Sequence, residues 1–126
     1  METITLLNQT EVVQLDEGRL EQLYLQLGEA GAEDVLCRAL EELAVRLSHT
    51  ERCFRCNRVQ DMRKSARSLI AIAEQIGMSK LAGVARDVTQ SIDLHDEVAM
   101  AATLSRLLRI GERSLLEVWD LQDYSV

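Results

Sequence analysis

The sequence contains no proline and only six glycines, so little in it would interrupt a long helix. Aromatic residues are scarce, with one Phe, one Trp and two Tyr, and the apolar 47% is carried mostly by Leu, Val and Ala. That composition favours an all-helical domain over a sheet, which draws on aromatic and β-branched side chains. Three cysteines, Cys37, Cys53 and Cys56, are too few and odd in number for a disulfide framework, and reduced thiols are expected. No apolar run nears the roughly 20 residues that cross a bilayer. The longest, "SLIAIA" and "VAMAATL", fall far short. The opening "METITLLNQTEVV" has neither the basic start nor the sustained apolar stretch of a signal peptide, so a cytoplasmic protein with no membrane partner is expected. A net charge of −7 argues against general nucleic-acid affinity, because phosphate neutralisation needs a basic surface.

The charge is unevenly placed. Arg52, Arg55, Arg58, Arg63, Lys64 and Arg67 stand against Asp61 alone, so residues 52–67 form a basic segment within an acidic chain. Such a segment suits an acidic partner, and equally a plain solvated face.

At 126 residues the chain is one domain in length, and no repeat or low-complexity stretch divides it. Residues 1–14 read as an N-terminal extension and 122–126 as a tail. Asp16 is placed as an N-cap ahead of Leu20, Leu23, Tyr24 and Leu27, with Gly28 and Gly31 to stop a short first helix. Leu36, Leu40, Leu43, Leu47, Thr50 and Phe54 then draw one stripe down a long second helix, from about Glu33 to Cys56. Asn57 and Gln60 have capping-box spacing and open a third helix with Val59, Met62, Ala66, Leu69, Ala73 and Ile76 inward, closed by Gly77. Ser79 caps a fourth, with Leu81, Val84, Ala85, Val88 and Ile92 inward. After the polar turn "SIDLHD", a last helix runs from about Asp96 to Leu121 with Val98, Ala101, Leu104, Leu108, Gly111, Leu115 and Val118 inward. Short connections between long one-sided helices predict an antiparallel four-helix bundle, with the additional short N-terminal helix lying across one end.

This order of elements, together with "LD" at 15–16, "IG" at 76–77 and "SKLAGVA" at 79–85, resembles the histidine-containing phosphotransfer (HPt) family of bacterial phosphorelays over residues 15–121. The family's third helix carries a His-x-Leu-Lys-Gly pattern that ends about ten residues later at a glycine. Counting back from Gly77 puts Arg67 at the histidine, Ser68 next, Leu69 at the leucine, Ile70 at the lysine and Ala71 at the glycine. Leu69, Gly77 and Leu81 match, and these are structural positions; the three positions that carry phosphotransfer do not. A nucleophilic imidazole must be neutral near pH 7, whereas a guanidinium stays protonated, so Arg67 cannot accept a phosphoryl group. The resemblance therefore implies a non-catalytic phosphorelay module, not an enzyme, needing no cofactor or metal. Its implied partner is a response-regulator receiver domain, whose aspartate cluster would meet a cation, or a histidine kinase. The docking residues on this reading are Arg63, Lys64, Arg67, Ser68, Ile70 and Ala71, with Arg67 about 130° round the helix from the core stripe at 100° per residue.

Two other classes stay open. A working phosphotransfer protein could use His49 or His95, although the acids around His95 favour its imidazolium. A helical homodimer or scaffold could share the architecture alone. His49, Cys53 and Cys56 fall on one helix face at i, i+4 and i+7 with ligand types suited to zinc, but the remaining cysteine, Cys37, is about four turns away and small apolar packing explains the pair as well. Trp119 and Tyr24 read as packing residues at the bundle ends.

Overall fold

The structure, a computed structural model, describes residues 16–124, with side chains described as far as Val118. Four helices follow in order, α1 (Glu17–Arg55), α2 (Val59–Gln75), α3 (Ser79–Asp93) and α4 (Glu97–Tyr124), and no strand occurs among the described residues. Each helix packs on its sequence neighbour, and α1 meets α4 to close the ring. Connections of only three residues make each neighbour antiparallel. The architecture is the expected all-α four-helix bundle.

The expected first and second helices meet at a kink, where Gly28 stops the first as expected. Gly28 (φ 75°, ψ 174°) is the single non-helical residue between them, and Gly31 stays inside the helix instead of stopping it. The arm before the kink is held at one end of the bundle. Asp16 donates its N–H to the Gly77 carbonyl at 2.7 Å, and Arg19 Nε donates to the Gln75 carbonyl at 2.9 Å. Asp16 also caps the helix as expected, accepting from the Arg19 N–H. Leu23 is the arm's buried contact, whereas Tyr24 and Leu27, expected inward, are exposed.

All three connections are built alike. Asn57 (φ 58°), Gly77 (φ 80°) and His95 (φ 55°) each adopt the left-handed conformation just past a helix end. In each case this residue and the next return hydrogen bonds to the last turn: Arg58 N–H to Cys53 at 2.8 Å, Met78 to Ala73 at 2.8 Å and Asp96 to Ser91 at 3.1 Å. The residue that closes one helix then opens the next, since the Arg58, Met78 and Asp96 carbonyls accept from Met62, Ala82 and Met100. Asn57 therefore ends α1 rather than capping α2, and Ser79 is the first residue of α3 rather than its cap. Asp96 is a genuine side-chain cap, accepting from the Ala99 N–H at 3.0 Å.

The core follows the expected stripes on α1, α2 and α3: Leu40, Leu43, Met62, Leu69, Leu81 and Val88 are fully enclosed. Burial of each such side chain contributes about 1.5–3 kcal/mol. On α4 the stripe is rotated. Met100, Leu104, Leu107, Gly111 and Val118 face in, while Val98 is 81% exposed and Ala101 is on the surface. Helix α4 also continues to Tyr124, into the segment expected to be a tail. The Trp119 side chain and the 1–14 extension lie outside the described residues.

Candidate functional site

Helix α2 presents the expected basic face because its roll is fixed from both sides. Toward α1, the Ser65 and Thr50 hydroxyls, both buried, lie 2.7 Å apart, and Ser65 also donates to the Arg46 carbonyl at 3.2 Å. Toward α3, Arg63 makes a bidentate pair with Asp93, Nε to Oδ1 at 2.8 Å and Nη2 to Oδ2 at 3.2 Å. A second pair joins Glu74, at the end of α2, to Arg86 in the middle of α3. With Met62, Ala66, Leu69 and Ala73 buried, Lys64, Arg67 and Ala71 face solvent.

The six expected docking residues thus divide. Lys64, Arg67 and Ala71 are exposed. Arg63 is half-buried and engaged by Asp93, Ser68 is half-buried and donates to the Lys64 carbonyl at 3.2 Å, and Ile70 is half-buried against the core. Arg63 is consequently a strut between helices and not a free cation.

Asp93 is the residue the sequence did not single out, because its partner lies 30 positions away. The Arg63 hydrogen bonds hold its carboxyl below the usual carboxylate range, opposed by slight desolvation and aided by the charges of Arg63, His95 and Arg67. The same contact raises the Arg63 guanidinium further above its ordinary value. Arg67 and His95 therefore both lie within electrostatic reach of this pair.

The histidines occupy other settings. His49 is half-buried on α1 with Nε2 3.5 Å from the buried Cys53 Sγ, and His95 holds the left-handed position after α3. Cys56 is exposed and Cys37 half-buried. Among the described residues no group of three or more His, Cys, Asp or Glu side chains is arranged to hold a metal. None of the described helices is long and apolar enough to cross a membrane. A second basic cluster, Lys80 with Arg106, Arg109 and Arg113, lines a cleft between α3 and α4. The i, i+3, i+7 spacing of its three arginines was its signal in the sequence; the lysine joins them only through the fold.

No protein-family model, curated protein or solved structure matches the chain.

Proposed function

We propose that the protein is a non-catalytic signalling module of phosphorelay type, an HPt-like bundle that docks a response-regulator receiver domain or a histidine kinase through α2 and the adjoining face of α1. The observation that carries this reading is the pairing of exposed Arg67 and Lys64 with exposed, small Ala71 on a helix whose orientation is fixed at Ser65 and Arg63. A guanidinium presented beside a bare stretch of helix suits an aspartate-lined pocket, where it can bind a carboxylate in bidentate fashion. It offers no nucleophile, so docking replaces transfer.

The test is a binding titration of the full chain against purified receiver domains and histidine kinases from its own organism, repeated with Arg67→Glu. Binding by at least one, weakened about fivefold or more by the reversal, supports the reading. An unchanged dissociation constant, or a phosphoryl adduct on His49 or His95 after incubation with a phosphorylated receiver, overturns it.

A further inference from the structure

The cleft between α3 and α4 has a volume of about 780 Å³ and is bordered by Lys80, Arg106, Arg109 and Arg113. That volume lies in the range of small-molecule sites. Its geometry follows from one contact. Arg106 Nη1 lies 4.0 Å from Asp87 Oδ2, which fixes where the two antiparallel helices face each other. Lys80 is seven residues before Asp87 and Arg113 seven after Arg106, so the two stand opposite each other about 10 Å further along. Arg109 falls between. Four cations therefore flank a trough too long for a single phosphate and of suitable length for two linked ones.

Among the described residues no ion pair engages Lys80, Arg109 or Arg113, and the three arginines are exposed. Arg106 is held only by its 4.0 Å contact with Asp87. In a chain of net charge −7, this concentration of positive charge is local and not a general property of the surface. Lys80 is also the second residue of α3, whose N-terminus has no side-chain cap, so the positive end of the helix dipole adds to the field there. Ile110 and Leu116 supply an apolar wall, while Glu112 and Glu117 also line the cleft and offset part of its positive charge.

We infer that this cleft is a binding site for a small ligand bearing two linked phosphates, held by Lys80, Arg109 and Arg113 with Arg106 at its far end. The site is separate from the α2 face and does not rest on the docking reading. Calorimetric titration of the full chain at low salt, with ADP, inorganic pyrophosphate and orthophosphate as probes, tests it. Saturable binding of a diphosphate is expected, weakened about tenfold by each of Arg109→Gln and Arg113→Gln, since one charge-assisted contact is lost each time. Arg67→Glu should leave it unchanged. ADP binding more tightly than pyrophosphate identifies a nucleotide seated against Ile110 and Leu116; equal binding identifies a free polyphosphate. Absence of saturation with both diphosphates, orthophosphate binding as well as pyrophosphate, or indifference to both arginine variants, with circular dichroism unchanged, overturns the proposal.

Discussion

Replacing Gly77 by Ala should destabilise the protein by about 2–3 kcal/mol, in two separable parts. The first is conformational: at φ 80° an L-residue costs about 1–2 kcal/mol, less the few tenths recovered because Ala restricts the unfolded chain. The second is contact. A Cβ at this position would stand 3.0 Å from both the Cβ and the carbonyl oxygen of Asp16, and 3.2 Å from its backbone nitrogen. Backbone cannot swing aside as a side-chain tip can, so the α1 arm must shift and weaken the 2.7 Å bond from Asp16 to Gly77, costing about 1 kcal/mol. Urea unfolding followed by circular dichroism measures the sum. Gly77→Asn separates the parts, because Asn tolerates the left-handed region yet carries the same Cβ. If Gly77→Asn is as stable as the wild type, the close approach of Asp16 is refuted; if Gly77→Ala costs under about 0.5 kcal/mol, both parts are.

Four further outcomes are expected. His95→Gly should stabilise by about 1 kcal/mol in the same assay, by relieving a left-handed non-glycine residue. Two helical glycines should respond differently: Gly83→Ala, with open space around it, gains about 1 kcal/mol of helix propensity, whereas at Gly111 the same gain is offset by overpacking of about 1–3 kcal/mol against the buried Leu47 methyls, the nearer at 2.6 Å, read as a rise in melting temperature for the first variant and none for the second. Asp93 has a depressed folded pKa, so its contribution is present above the ordinary carboxylate value and is lost as pH falls through the lower folded one; Asp93→Asn should flatten the acid limb of a stability profile below about pH 4. Arg67→Glu should weaken a receiver or kinase complex by more than about 1 kcal/mol in a fluorescence titration while leaving the melting temperature within a degree or two.

The core stripes of α2 and α3 were legible because apolar and polar residues there alternate cleanly at helical spacing. In α4 the run "VAMAATLSRLL" is apolar at nearly every phase, so periodicity could not decide between Val98 and Met100. The buried side followed from where Asp96 starts the helix and where Gly111 lets Leu47 of α1 approach α4. Asn57 reads as an N-cap by spacing and His95 as part of a polar turn, but their left-handed backbone is set by the need to turn the chain in three residues. The exposed position of Arg67 followed from counting turns. The Arg63–Asp93 pair beside it, and the placing of Lys80 and Arg113 on one cleft, depend on antiparallel packing between segments far apart in sequence.

The tight connections also determine where this protein can vary. Because the residue finishing one helix begins the next, none of the three turns can lengthen or shorten by a residue without losing a helix end. Surface loops are where most domains accumulate insertions and specificity, and this bundle has no such reserve between Glu29 and Val118. New recognition must arise by exchanging side chains on the helix faces.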